Sequence, residues 1–391
     1  MGNNHGIRDE EILLLGLCRL DFSDDLIIRL RDIAGRIKDW DYLASLANEH
    51  GIAALAGYNL EKLSLTGFMT ENAISVLKNA RIISLSRNAF HISSTEELLE
   101  LYNREDIKVV ILKGLALELT VYGNSGLRQM TDVDILVGKN EYLKARNILM
   151  KDGYDSLPVK SGFHRPIMAW TGKHLPTMLK NGTSVDIHIE LFGGKKNSLT
   201  KKILATAKET RVDRERAWIP TPQLHFLYLI KHLHQHETRN ESQLRLYTDL
   251  IVLLEHYRDE IINDELLYNA SKAGISKILA WKLEPLRDFW GINFPAYVDI
   301  LIEKWFTAET INRFVFFLKS PKNNPSTGKA AVYRNTLKEV PGLHRKVLFL
   351  LGDLFPTITF MKGRYKCNTG LQALLYYPHR FGKILWLFKR K

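Results

Sequence analysis

The feature that most limits what this chain can fold into is a change of apolar period at Asp106. Over residues 10–101, apolar side chains recur three or four positions apart, as in Leu26, Leu30, Ile33 and Ile37 and again in Leu43, Leu46 and Ala47. That spacing lays one apolar stripe along a helix. Beyond Asp106 the apolar runs are short and β-branched: residues 107–112, ended by Lys113-Gly114, and residues 133–137. Between them, residues 115–121 return to a helical period and close on Gly123 and Gly126, and Asn140 opens a helix over 140–149 that stops at Gly153. A third strand is predicted over 184–191, where Asp186, His188 and Glu190 alternate with Val185, Ile187 and Ile189. From Thr200 the helical period resumes over 224–236, 244–256 and 266–286, with no further convincing strand. The order predicts an α+β chain with a helical region at 1–101, a small mixed-sheet α/β core at 102–196 and a helical region at 197–391. Pro321, Asn323, Asn324, Pro325, Ser326 and Gly328 form the best linker candidate.

With 391 residues, 45% of them hydrophobic and 25% charged, the chain can bury a substantial core and is not disordered as a whole. Its longest apolar runs, such as 12–15 and 347–351, fall far short of the roughly 18–20 residues a membrane-spanning helix needs. Asp9, Glu10 and Glu11 stand where a secretory signal carries positive charge, so the expected location is the cytoplasm. Cys18 and Cys367 are too far apart in sequence for a clustered thiolate site or a Cys-x-x-Cys pair. Net charge is +12, and eight of the positive residues (Lys362, Arg364, Lys366, Arg380, Lys383, Lys389, Arg390 and Lys391) fall in the tail 361–391, which has no Asp or Glu. The same tail carries Leu374, Leu375, Tyr376, Tyr377, Phe381, Ile384, Leu385, Trp386 and Leu387. It reads either as a basic amphipathic helix that contacts an anionic surface or phosphate backbone, or as a terminal helix docked on the body.

Several familiar sites are excluded by the letters alone. No Gly-Lys pair is followed by Ser or Thr, no three-glycine dinucleotide fingerprint occurs, and the Gly123-to-Gly126 segment is one residue too short for a nucleophile elbow. The informative stretch is 109–137, VVILKGLALELTVYGNSGLRQMTDVDILV. Asp132 and Asp134 lie two apart at a strand start, so they face one way with Cα atoms about 7 Å apart. Such a pair can grip a hard cation between its carboxylates, and Asp186 is the candidate third carboxylate from a neighbouring strand. By itself an Asp-x-Asp pair is more often a turn residue and a solvated strand edge.

Taken in order, Leu112-Lys113-Gly114, Tyr122, Arg128, Asp132-x-Asp134 and Val185-Asp186-Ile187-His188 resemble the nucleotidyltransferases of the polymerase-beta-like superfamily, and within it a bacterial nucleotidyltransferase family. WDYLASLANEH at 40–50 is similar to that family's helical lead-in, and Leu354-Phe355-Pro356 with the basic segment after it is similar to its C-terminal end. The resemblance implies a polymerase-beta-like core flanked by helices, with Asp132 and Asp134 ligating Mg²⁺ (or Mn²⁺) and Asp186 as third ligand and base. It implies transfer of an NMP from an NTP such as ATP to an acceptor hydroxyl or phosphate, with release of pyrophosphate. The acceptor stays open among small molecule, peptide and RNA. Where the superfamily usually offers Gly-Ser at the helix that receives the triphosphate, this chain has Lys113-Gly114; a lysine can neutralise phosphate, and the glycine leaves backbone amides open. Arg128 reads as a fork onto triphosphate oxygens or as an ion pair with one of the two aspartates, and Lys113 carries the same two readings.

His188 shares a face with Asp186 and, with His174 in the preceding polar stretch, is a candidate to orient an acceptor or a metal-bound water. His232, His234 and His236 form an HLHQH run, but Leu233 stands where a metalloprotease helix needs Glu, so the run reads as a partly exposed helix face. Two rivals remain: a kinase-like γ-phosphate transfer using the same metal site, and a degenerate, non-catalytic protein that binds RNA or a partner.

Overall fold

The computed structural model describes residues 6–123, 126–164, 176–192, 198–239, 241, 243–321, 333–334, 337–338, 340 and 342–382. Four helices, Asp9–Gly16, Asp24–Ala34, Trp40–Glu49 and Ala53–Lys62, lead into the long helix Glu71–Arg104. The long helix starts where its sequence provides a cap: the Thr70 hydroxyl accepts from the Ala73 N–H at 3.1 Å.

Seven strands then form one mixed sheet: β1 (Val110–Ile111), β2 (Val133–Leu136), β3 (Asp155–Ser156), β4 (Met178–Lys180), β5 (Thr183–His188), β6 (Lys208–Val212) and β7 (Glu215–Ile219), in the order β3-β4-β5-β2-β1-β7-β6. The β2/β5 and β1/β7 pairs are parallel and the others antiparallel. Strand alternation decides what each face meets. Val133, Ile135, Val185 and Ile187 are buried in a core with Leu98, Leu99 and Tyr102 of the long helix and Ala145 and Leu149 of the helix Tyr142–Lys151. The intervening Asp134, Asp186 and His188 therefore project from the other face. On that side the helices Pro222–Glu237 and Leu244–His256 pack, joined to the N-terminal helices in one larger apolar core.

Three differences from the sequence reading have physical reasons. The sheet runs on past residue 196, because β6 and β7 form a hairpin that joins β1 at the edge. KETRV and ERAWI are too polar to read as strands. Both are half-exposed: β6 is the open edge, which its charges protect, and β7 lies between it and β1. The helical stretch expected over 266–286 is two helices, Glu265–Lys272 and Ser276–Trp290, separated at Gly274, whose φ of +69° ends the first. β3 and β4 also went unread. β4 and β5 are joined by a two-residue turn, Asn181-Gly182, with φ values of +49° and +87°, the conformation a tight hairpin needs and these residue types allow.

The linker candidate lies almost wholly outside the described residues. Of the tail, 361–382 is described. Ala373 is buried, the Tyr377 hydroxyl donates to the Pro356 carbonyl at 2.5 Å and Arg380 Nε donates to the Asp353 carbonyl at 2.7 Å, while Leu371 and Leu375 stand about three-quarters exposed. The first part of the tail is thus tethered to the body and still presents apolar surface. Among the described residues no helix is long and apolar enough to cross a membrane.

Candidate active site

The register of one strand pair builds the acidic centre. In the parallel β2/β5 ladder Asp134 sits opposite Asp186, and Leu136 opposite His188. Asp132 enters just before β2, two residues from Asp134 and on the same face. One ligand oxygen from each of Asp132, Asp134 and Asp186 lies within 4.8 Å of the others. Asp134 and Asp186 are buried, and Asp132 is half-buried. Two hydroxyls orient the cluster: Thr177 Oγ1 donates to Asp186 Oδ1 at 2.6 Å, and Thr131 Oγ1 to Asp132 Oδ1 at 3.0 Å.

Carboxylates at about 5 Å repel by roughly 3 kcal/mol per pair at an effective dielectric near 20, so the cluster needs positive charge. Lys113 Nζ donates to Asp134 Oδ1 at 2.6 Å, and His188 Nε2 meets the same oxygen at 2.8 Å. Burial works against both charges of the Lys113–Asp134 pair, yet their mutual attraction outweighs it: the ammonium is raised above its ordinary pKa and the carboxyl held well below its own. Lys113 reaches this position from a left-handed backbone, φ +47°, at the start of the short helix Lys113–Leu117. For a lysine this conformation costs on the order of 1 kcal/mol, a local strain stored at the site.

Arg128 is placed differently from either sequence reading. Its Nε donates to Asp249 Oδ1 at 2.8 Å and Nη2 to Oδ2 at 2.7 Å, and the Tyr122 hydroxyl adds a bond to Oδ1 at 3.0 Å. All three residues are buried, so this is an interior bridge from the loop before β2 to the helix Leu244–His256, with an aspartate the sequence did not single out. Asn88 of the long helix fixes the same loop, donating to the Arg128 carbonyl at 2.8 Å and accepting from the Met130 N–H at 3.3 Å. Gly114 lies directly under the guanidinium, where a Cβ would come within 2.3 Å of Arg128 Nη1, so its lack of a side chain is required by this packing.

The acidic cluster opens into a polar cavity of about 260 Å³. Lys113, Gly114, Arg128 and the three aspartates line one part, and the helix Pro222–Glu237 and the segment after it line the rest. Tyr228, His232 and His236 stand at i, i+4 and i+8 on that helix and all face the cavity, with the two imidazole centroids 4.4 Å apart. The histidine run is therefore not merely a partly exposed face. Burial, reinforced by Lys113, lowers His232 well below the ordinary range, and burial with Lys113 lowers His236 to about 4, so both are neutral near pH 7. His234 turns away toward Trp281. His174 lies outside the described residues. The sequence reading also passed over Tyr228, Arg239, Arg245 and Asp249; the four-residue spacing of Tyr228, His232 and His236 was the one signal that could have found part of this wall.

The donor set suits a hard divalent cation: three carboxylates within 4.8 Å, without sulfur, and with an internal ammonium supplying positive charge at the same point. Comparison with curated proteins gives no match. A family model does match, over residues 37–290, a span that takes in the last two helices of the lead-in, the whole sheet, the acidic cluster and the helical wall facing it. By that match the chain belongs to a family described as uncharacterised nucleotidyltransferase.

Proposed function

We propose that this nucleotidyltransferase is metal-dependent, has a polymerase-beta-like core and moves an NMP from an NTP to an acceptor hydroxyl or phosphate, releasing pyrophosphate. The observation that carries the reading is the Asp134–Asp186 register, with Asp132 beside it, at the base of a polar cavity. Asp132, Asp134 and Asp186 would hold Mg²⁺ or Mn²⁺. A metal held by them would neutralise charge on the triphosphate and polarise the α-phosphorus. Asp186, held by the Thr177 hydroxyl, takes the proton from the acceptor as its oxygen attacks that phosphorus. Lys113, bonded to Asp134 and lining the cavity, supplies positive charge that would offset that of the phosphates. Arg128, fixed and neutralised by Asp249, shapes the cavity wall rather than closing as a fork on substrate. His188, on the same Asp134 oxygen as Lys113, helps to hold that carboxylate in place.

Label transfer tests the reading. With Mg²⁺, NTP and candidate acceptors, label should move from α-labelled and not from γ-labelled nucleotide, and pyrophosphate should appear. Movement of the γ label instead would make the protein a kinase-like enzyme, and movement of neither across a broad acceptor panel would leave a binding protein.

A further inference from the structure

Four cations line the cavity: Lys113, Arg128, Arg239 and Arg245. Two are committed, Lys113 to Asp134 and Arg128 to Asp249. Arg239 and Arg245 have no carboxylate within ion-pairing distance among the described residues. The Arg245 amino groups bond only neutral acceptors, the Gln129 carbonyl and Gln243 Oε1, and its Nε is buried without a partner. One terminal nitrogen of Arg239 is likewise buried and unpartnered. Both arginines line the cavity into which the acidic cluster opens, and Arg245 is bonded to the Gln129 carbonyl in the loop that leads to Asp132. Both residues are half-buried, and a guanidinium nitrogen left buried without a partner is costly, so two such arginines in one cavity fit a place where an anion is received.

Resting on the nucleotidyltransferase reading, we infer that Arg239 and Arg245 are the polyphosphate-binding wall of the site, the role the sequence had offered to Arg128. A triphosphate presents oxygens in several directions, and planar guanidinium forks match phosphate geometry. Arg245 is already anchored to the loop between Arg128 and Asp132, so its charge is fixed before substrate arrives. The same two residues would hold the pyrophosphate after transfer, so they govern product release as well as binding.

Calorimetric titration of the full chain with inorganic tripolyphosphate and with ATP, both in the presence of Mg²⁺, tests this. The wild type should bind both. Arg239→Gln and Arg245→Gln should each weaken both ligands by roughly 10- to 100-fold, the loss expected for a charge-assisted hydrogen bond, while Arg239→Lys and Arg245→Lys recover part of it. Arg313→Gln, on an exposed helix face, should change nothing. Wild-type affinity in both glutamine variants would overturn the wall, even where α-label transfer shows the nucleotidyltransferase reading to be right. Arginine-dependent tripolyphosphate binding without α-label transfer would keep the wall and remove NMP transfer. Failure of the wild type to bind either ligand would overturn both.

Discussion

Asp249 and Asp134 are both buried aspartates beside a basic side chain, 1% and 3% exposed, yet they are built for opposite ends. At Asp249 each oxygen is used, by the two-pronged Arg128 contact and by Tyr122, and among the described residues no other carboxylate joins the group. At Asp134 both basic contacts fall on Oδ1, and two further carboxylates stand within 4.8 Å. The first arrangement is closed: every charge has its complement and nothing is gained by letting a ligand in. The second is open. Its positive charge is too little for three carboxylates and is concentrated on one oxygen, so an arriving cation improves it. Burial alone does not separate a strut from a site; the balance of charge around the buried group does.

The sharpest way to break this contrast is to neutralise each aspartate in turn. Asp134→Asn should lower NMP-transfer turnover by roughly a thousandfold or more, the scale of several kcal/mol of lost metal assistance, while the melting temperature moves little. Relief of carboxylate repulsion there offsets the stranding of Lys113. Asp249→Asn should do the reverse, removing about 3–5 kcal/mol of stability in urea unfolding because it leaves Arg128 buried and uncompensated. Comparable melting shifts in the two variants would erase the distinction.

A third test extends the closed class to a neutral group. His50 is fully buried, its Nδ1 accepting from the Leu244 N–H at 3.1 Å and its Nε2 2.9 Å from the Leu318 carbonyl, so it staples the N-terminal helices to the C-terminal ones. Burial depresses its pKa from 6.5 to about 4. The unfolded chain takes up a proton below about pH 6.5 that the folded chain refuses until about pH 4. The stabilising contribution is therefore complete above 6.5 and disappears as pH falls through that window, by about 3 kcal/mol in all. Unfolding free energies at pH 7.5 and 4.5 should show one proton less of uptake in His50→Gln than in the wild type. The smallest effect is expected at the hinge between the two classes: Lys113→Ala should weaken NTP binding about tenfold, near 1.4 kcal/mol, with a smaller change in the single-turnover rate at saturation.

Local alternation made the shared face of Asp132, Asp134, Asp186 and His188 legible, because a strand's period of two needs only neighbouring letters. The helical flanks were legible for the same reason, their apolar stripes being complete within each segment. What lay across the chain was not. Arg128 finds Asp249 at a separation of 121 residues, and nothing near Arg128 in sequence distinguishes that partner from the two aspartates four and six positions on. His232 and His236 looked exposed because their helix is polar on that side, and only packing against the sheet turns the polar side into a cavity wall. The β6–β7 hairpin was hidden by the charge that fits it for an edge. Asn181-Gly182, by contrast, was a local signal that the alternation beginning at Ser184 drew attention away from.

That exposed turn has a consequence for how the chain can vary. Asn181-Gly182 sets Lys180 opposite Thr183 and Met178 opposite Val185, and so contributes to setting which residues of β5 face the helical wall. One residue gained or lost there, with β4 held in place, would tend to turn Asp186 toward the apolar core beneath the long helix and bring Val185 or Ile187 into the cavity. Length at this turn is therefore under tighter constraint than composition: any pair that tolerates positive φ can replace Asn-Gly, whereas a single-codon insertion would silence the site without altering a residue that lines it.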